Sequence, residues 1–356
     1  MKYKGTYEFY STFIEGLTDT IPITIPFNLT PSKIRALVNH QSLRFIHAGN
    51  WWNIKNPEKR SKELILAQQM KLANENTTGL MSKNIQPGDQ DLKEEEDRLK
   101  KIYRRQINYD KFLYWLLDSS ELIDYYNKNL EYANWARENN NSAIPIYCSI
   151  QVINYESARE WFKKASSKGH NHFCVGVSEF LKYPKYKKVG IKRLFEISLG
   201  IRSVINENAK LHFSGVASHY LMPILACLGV SSFDGSTPVT SALAYGTVFN
   251  ENGYGLRANV LKDNIEKREK FFATANKCKC EVCNGKDIKQ IVNTFSKDRK
   301  TRVIHNISIW RNLVSELNSK KNNLDKFLEI LDSRINLKYF KDLLKIKDDI
   351  LERYNY

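Results

Sequence analysis

Residues 210–235 read KLHFSGVASHYLMPILACLGVSSFDG, and this stretch decides the fold. It opens with the apolar run KLHFSGV (210–216) and closes with GVSSFDG (229–235), and SHYLMPILACL between them has helical periodicity. A strand, a helix and a second strand in close succession are typical of a βαβ unit, whose two strands lie parallel.

The same rhythm extends upstream of this unit. Apolar runs at 43–49 (LRFIHAG), 144–150 (IPIYCSI) and 172–177 (HFCVGV) predict further short strands, with segments of helical periodicity between the later ones. Nearly continuous apolar strands fit a sheet that is covered on both faces. The pattern indicates a parallel sheet or a barrel, and we predict an α/β protein with a (β/α)8 TIM-like barrel.

Changes in composition along the chain predict its domains. The barrel is expected over 1–256, with a polar insertion at 56–108 that forms either a solvated connection or a substrate-facing flap. A basic, cysteine-containing segment at 257–321 is expected to be an inserted zinc-binding subdomain. The Lys-rich amphipathic segment at 322–356 is expected to form C-terminal helices that pack on the barrel.

The charge of the chain suggests the class of its partner. The 356 residues include 55 Lys and Arg against 39 Asp and Glu, a formal net charge of +16. Because like charges repel in the folded state, this excess indicates a polyanionic partner such as a nucleic acid, although an AT-rich genome would produce a similar bias. No apolar run approaches roughly 18 residues and no signal peptide is recognisable, so we expect a cytoplasmic protein with no membrane partner.

A metal site is predicted from the cysteines. Three of the six fall in CKCEVC at 278–283, and the only histidine after them follows with 21 residues in between. Three thiolates and one imidazole make a closed tetrahedral ligand set for a structural Zn²⁺. Free surface thiols are the alternative, but they are rare at such density in a cytosolic protein. The predicted ligands are Cys278, Cys280, Cys283 and His305.

A carboxylate at the end of a predicted strand is the first candidate for catalysis. Asp234 directly follows an apolar run and precedes a glycine, and catalytic groups in α/β barrels lie at the carboxyl ends of the strands. It is therefore a candidate nucleophile or base, with a turn-capping aspartate as the alternative. Four more residues come late in or just after predicted strands, namely His47, Gln151, Gly176 and Gly215. In a closed barrel all of them converge on one mouth.

These motifs together resemble the queuine/archaeosine tRNA-guanine transglycosylase family over roughly 40–310. Phe233, Asp234 and Pro238 stand at the spacing of that family's nucleophile segment, G-V-D-x-F-D-x-x-x-P. IPIYCSIQVINYESARE is similar to its F-G-I-x-Q-G-G strand, and HFCVGVSEF to its G-G-L-A-V-G-E strand. The Cys-x-Cys-x-x-Cys plus His set matches its zinc signature.

The resemblance implies an enzyme that exchanges guanine in a nucleic acid for a 7-deazaguanine such as preQ0 or preQ1. Asp234 would be the nucleophile of a double displacement through a covalent glycosyl intermediate. Gln151 matches the base-reading glutamine and would hold O6 of the base together with the backbone at Gly176. Asp118 is similar in placement to the aspartate that binds the guanine edge, with a helix N-cap as the alternative.

The chain departs from this family at several positions. His47, in IHAGNWW, stands where the family's D-S-G-G-F-Q turn has its catalytic aspartate, so it is expected either to transfer protons with a pKa near neutrality or to be structural. Trp51 is expected to stack on a base, with core packing as the alternative.

Thr240 and Leu243 occupy the places of tRNA-binding arginines, and no RNA-binding extension is recognisable. We therefore expect DNA rather than tRNA as the partner. Exchange on tRNA and a non-catalytic nucleic-acid-binding subunit are the alternatives, and a homodimer stays open.

Overall fold

The computed structural model describes residues 3–13, 22–26, 31–37, 40–48, 61–84, 119–182, 187–273 and 278–356. Within these ranges eight parallel strands close into a barrel in sequence order, so the predicted fold class is confirmed. The strands are β1 (Glu8–Thr12), β2 (Ile23–Pro26), β3 (Arg44–His47), β4 (Thr77–Met81), β5 (Ile146–Ser149), β6 (His172–Gly176), β7 (Lys210–Ser214) and β8 (Ser232–Gly235). The pairing of β8 with β1 completes the ring.

Helices cover the outside of the barrel and continue beyond it. Those that accompany the barrel strands are α1 (Pro31–Leu37), α2 (Lys62–Leu72), α3 (Ser119–Glu138), α4 (Tyr155–Ser167), α5 (Ser178–Lys182), α6 (Lys187–Arg202), α7 (Leu221–Cys227) and α8 (Thr237–Ala244). An antiparallel hairpin of β9 (Thr247–Phe249) and β10 (Gly255–Arg257) follows. The chain then forms α9 (Ala258–Asp263), α10 (Ile265–Ala273), α11 (Ile288–Lys297), α12 (Arg299–Ser319), a 3₁₀ turn (Lys321–Asn323), α13 (Leu324–Ile335) and α14 (Lys338–Arg353). No helix in the described part of the chain is both long and apolar enough to cross a bilayer.

The expected polar insertion is wrong for part of its span. Within 56–108 the chain forms α2 and the barrel strand β4, whereas 56–60 and 85–108 lie outside the described residues. The strand escaped sequence analysis because TTGLM has only two large apolar residues. Gly79 leaves room for the barrel interior, since a Cβ there would lie 2.3 Å from the ring of Tyr147.

The middle of the barrel is filled by rings. Tyr10, Phe45, Tyr147 and His212 project inward from four strands, with ring centroids 4.4 to 6.3 Å apart. Because successive side chains of a strand alternate between its faces, the inward position two residues farther along β7 is Ser214. The barrel therefore has an apolar and aromatic floor beneath a polar mouth at the carboxyl ends of its strands.

The C-terminal helices share the core of the barrel's outer layer. Trp310 and Leu313 of α12, Phe327 of α13 and Phe340 of α14 are buried in the same apolar cluster as the helices around β5 to β8. The indole Nε1 of Trp310 donates to the carbonyl oxygen of Ala217, just after β7, at 3.2 Å. This bond ties α12 to a loop at the mouth of the barrel.

Candidate functional site

Asp234 lies in the mouth of the barrel on β8, with only 4% of its surface exposed. The backbone amide of Gly215 donates to its Oδ1 at 2.6 Å, and the hydroxyl of Ser214 donates to its Oδ2 at 3.2 Å. Burial acts to raise the pKa of this carboxyl, but hydrogen bonding with His212, the charges of His212 and His47 and the Gly215 amide outweigh it. The pKa of Asp234 is therefore held below its ordinary value, and the group is an anion at neutral pH.

Gly215 is required for this arrangement. It has a φ of +89°, and a Cβ at this position would come within 2.8 Å of the Cβ of Ser178. A residue with a side chain would be strained here, and the amide that holds Asp234 would move. Gly215 thus contributes its backbone rather than a side chain to the site.

His212 is a member of the site that sequence analysis missed. Its Nε2 lies 3.4 Å from Oδ2 of Asp234, and its Nδ1 lies 2.9 Å from the hydroxyl of Ser232. The imidazole is fully buried and packs on the ring of Phe45 with centroids 4.4 Å apart. The signal was available in the period of two along β7, since His212 and Ser214 occupy the same face of the strand.

His47 ends β3 and is half-buried. Burial lowers the pKa of its imidazole, the charge of Asp234 partly opposes that effect, and His212 adds to it. The pKa of His47 is thus below its ordinary range rather than at it, and the ring is mainly neutral at pH 7. The charge of each group shifts the pKa of the other, so His47 and Asp234 are electrostatically coupled.

The two residues expected to read the base lie in contact. The side-chain amide nitrogen of Gln151, just after β5, donates to the carbonyl oxygen of Gly176 at the end of β6, at 2.7 Å. Gly176 is in turn level with Ser214 in the pairing of β6 with β7. The described members of the predicted site thus all lie at the carboxyl end of the barrel. Their roles in binding stay predictions, and Asp118 and Trp51 lie outside the described residues.

The end of β4 adds polar residues that sequence analysis did not consider. Ser82, Lys83 and Asn84 are all buried just after the strand. The hydroxyl of Ser82 accepts the Ser149 amide proton at 3.0 Å, and the ammonium of Lys83 lies 4.8 Å from the ring centre of Tyr132. They were overlooked because β4 itself was not predicted.

The cysteine cluster forms a second site with the geometry of a metal centre. The sulfur atoms of Cys278, Cys280 and Cys283 lie 3.6, 3.5 and 3.4 Å from Nδ1 of His305, and all four ligand atoms lie within 4.8 Å of one another. A tetrahedral ion with thiolate and imidazole bonds of about 2.3 and 2.0 Å would separate sulfur from nitrogen by about 3.5 Å. The four residues can therefore hold one metal ion with every position taken by protein.

Contacts around this cluster prepare His305 for a metal. Its Nε2 lies 2.7 Å from the carbonyl oxygen of Phe249 and donates to it, which leaves Nδ1 unprotonated toward the three sulfur atoms. The loop that carries the cysteines is a series of tight turns, with the amide of Cys283 bonded to the carbonyl of Cys280 at 3.0 Å. Cys280 and Cys283 are buried together with Phe295 in a separate apolar cluster.

Comparison with known proteins adds no family to this description. No protein-family model matches the chain, and no curated protein is significantly similar to it. The fold, the mouth around Asp234 and the Cys3His cluster are thus the observations from which a function is inferred.

Proposed function

We propose that the protein is a glycosyltransferase that exchanges a guanine of a nucleic acid, DNA in preference to tRNA, for a 7-deazaguanine. In this proposal Asp234 is the nucleophile and the Cys3His cluster holds a structural Zn²⁺. The observation that carries the proposal is a buried carboxylate, anionic at neutral pH, at the carboxyl end of β8. That is the location of catalytic groups in barrels of this kind.

The chemistry requires two displacements at one carbon. Asp234 attacks C1′ while the bond from C1′ to N9 of guanine breaks, and guanine takes up a proton. The 7-deazaguanine then loses a proton from its N9 and attacks C1′, while the bond to the carboxylate breaks. Two inversions retain the β configuration, and the exchange consumes no proton overall.

His47 is suited to carry that proton. When Asp234 forms an ester with C1′ it loses its negative charge, and with it the influence that raises the pKa of His47. Protonated His47 therefore gives up its proton more readily as the glycosyl bond forms, which is when guanine needs it. The neutral imidazole can then accept a proton from the incoming base.

The region after the barrel is suited to bind a phosphate backbone. Residues 257–321 contain sixteen Lys and Arg against seven Asp and Glu. Lys279, Lys286 and Lys289, close to the metal ligands, are exposed. Neutralising phosphates at such a surface releases counterions, so we expect affinity to fall steeply as salt rises.

Exchange of labelled guanine tests the proposal directly. The full-length protein is incubated with radiolabelled guanine or preQ0 and, in parallel, with double-stranded DNA, single-stranded DNA and tRNA. Incorporation into DNA supports the proposal. Incorporation into tRNA alone would overturn the choice of substrate, and incorporation into none, with binding retained, would favour a non-catalytic subunit.

A further inference from the structure

We propose that His212 is a positioning residue for Asp234, and that it donates its Nε2–H to the carboxylate while the hydroxyl of Ser232 fixes its tautomer. The hydroxyl of Ser232 lies 2.9 Å from Nδ1 of His212, and Nε2 of His212 lies 3.4 Å from Oδ2 of Asp234. The effect of His212 on the reaction rests on the function proposed above, whereas the protonation pattern of its imidazole does not.

The tautomer follows from the chemistry of the two ends. A hydroxyl can donate or accept, but an anionic carboxylate can only accept. A proton on Nδ1 alone would turn the Nε2 lone pair toward the carboxylate of Asp234, and both groups are buried. With Ser232 donating to Nδ1, the proton lies on Nε2 and faces the carboxylate, so no lone pair is turned toward the negative charge.

The distance of 3.4 Å is longer than an ideal hydrogen bond, and the Nε2–H is not aligned with Oδ2. The imidazole cannot rotate to improve it, because it is packed against Phe45 and bonded to Ser232. The donor is therefore fixed in place beside Oδ2, which also accepts from Ser214, while Oδ1 accepts from Gly215. A held donor of this kind fixes the plane of the carboxylate.

Few other groups around the pair can change charge. Burial raises the pKa of Tyr10 on β1, Tyr147 on β5 and Cys174 on β6 well above their ordinary values, so all three stay neutral. Among the described residues around the pair, His47 on β3 is then the other histidine that influences Asp234. Substituting each histidine in turn can therefore separate their effects on a pH profile.

In the reaction, the fixed donor would help the Asp234 carboxylate both to attack C1′ in the first displacement and to depart from it in the second. In the second displacement the carboxylate departs from C1′ with its electron pair and regains its negative charge. A fixed N–H donor stabilises the charge that develops there without reorganisation. Loss of the donor should slow turnover most at low pH, where Asp234 depends on its partners to stay ionised.

Nitrogen-15 NMR of histidine-labelled full-length protein tests the protonation pattern without any substrate. The His212 resonances are assigned by their loss in His212→Gln. The proposal expects an unprotonated Nδ1 and a protonated Nε2 in the parent protein, and a mixture of tautomers in Ser232→Ala. Any other pattern in the parent protein, or no change in Ser232→Ala, overturns it.

A matched pair of variants tests the role in the reaction. The side-chain amide of His212→Gln can place an N–H donor where Nε2 lies, whereas that of His212→Asn reaches only the position of Nδ1. We expect His212→Asn to lose about tenfold in kcat/KM at the acid end of the profile, the loss of one hydrogen bond to a charge, and His212→Gln to recover most of it. Equal loss at all pH values in both variants would overturn the role.

The two experiments fail independently. If the parent protein exchanges no guanine, the proposed function falls, and NMR still decides the protonation of His212. If exchange occurs and the two variants match the parent enzyme at every pH, the proposed function stands and the positioning role falls. Metal content and far-ultraviolet circular dichroism verify that each variant is folded.

Discussion

His305 donates its Nε2–H to the carbonyl oxygen of Phe249 at 2.7 Å, and the amide of the same Phe249 donates to the side chain of Asn306 at 3.1 Å. Asn306 also donates to the carbonyl oxygens of Pro238 and Thr247 at 2.9 and 3.0 Å. Since Pro238 lies in the first turn of α8, the adjacent residues His305 and Asn306 of α12 connect the metal ligands with the helix that follows Asp234. The cysteine cluster and the barrel mouth are thus parts of one packed unit.

Asn306→Ala should weaken both parts of this unit. The substitution leaves two carbonyl groups and one amide without their partner in a site where Asn306 is fully buried. We expect a loss of about 2–4 kcal/mol in the free energy of unfolding, and faster release of the metal to a chelator. Urea denaturation and a chelator assay measure the two effects. Asn139→Ala, which changes an exposed asparagine directly after α3, is the control, and unchanged metal release in Asn306→Ala would contradict the connection.

Cys280→Ser should remove the metal. A serine hydroxyl does not replace a buried thiolate as a Zn²⁺ ligand, and metal binding contributes directly to the folding of such a site. We expect metal content measured by mass spectrometry to fall from one ion per chain to well below one, together with a lower melting temperature. Cys227→Ser, at a half-buried cysteine outside the cluster, should retain full metal content. Full occupancy in Cys280→Ser would refute the assignment.

The sequence predicted those parts of the molecule whose signal is local. β7 and β8 lie in the short apolar stretches that predicted them, and the four metal ligands are indicated by three cysteines within six residues and one later histidine. β4 was missed because its inward positions include Gly79, whose value lies in making room for Tyr147 across the barrel. The period of two along β7 places His212 on the same face as Ser214, but its contacts with Ser232 and Asp234 involve the neighbouring strand. Pairing of this kind is visible only after the barrel has closed.

Asp234→Asn should abolish base exchange and leave the fold intact. The amide has nearly the volume of the carboxylate, but it is neutral and a poor nucleophile, so no covalent adduct should form. Exchange of labelled guanine and denaturing gels of trapped adducts measure the two steps. Asp349→Asn changes an exposed aspartate on α14 and serves as the matched control. An Asp234→Asn protein that exchanges guanine at the parent rate would exclude this carboxylate as the nucleophile.

Acid should destabilise the protein through three histidines that are wholly or partly buried. Burial, joined at His170 by the charge of Arg137 and at His172 by that of Lys210, lowers the pKa of His170, His172 and His219 to about 4. In the unfolded chain these groups bind protons near pH 6.5. Between about pH 6.5 and 4 the unfolded state therefore binds up to three more protons, and the free energy of unfolding falls as pH falls through that window.

His219→Gln isolates one of these protons. The imidazole Nε2 of His219 lies 3.1 Å from the carbonyl oxygen of Glu251, and a glutamine amide can donate to the same oxygen. We expect urea unfolding of this variant to depend less steeply on pH between about 6.5 and 4 than in the parent protein. Because acid would release metal from both proteins alike, the difference between their pH dependences of unfolding removes that contribution. Lys163→His, which adds an exposed imidazole, should leave the slope unchanged, and an unaltered slope in His219→Gln would show that this ring is already charged in the folded state.

The two half-reactions should depend on pH in opposite directions. Attack by Asp234 needs a proton donor for guanine, so kcat/KM for the nucleic acid should fall as pH rises above the pKa of His47. Attack by the 7-deazaguanine needs a proton acceptor, so kcat/KM for the free base should fall as pH drops below the pKa of His47 in the glycosyl intermediate. Because burial lowers the pKa of His47, kcat/KM for the nucleic acid should begin to fall at a pH below the ordinary pKa of histidine.

His47→Gln should flatten the pH-dependent limb of both kcat/KM profiles. Ping-pong kinetics measured from about pH 5 to 9, with each substrate varied in turn, determine the two profiles. Parallel rather than opposed limbs, or limbs that survive in His47→Gln, would assign the proton transfer to another group.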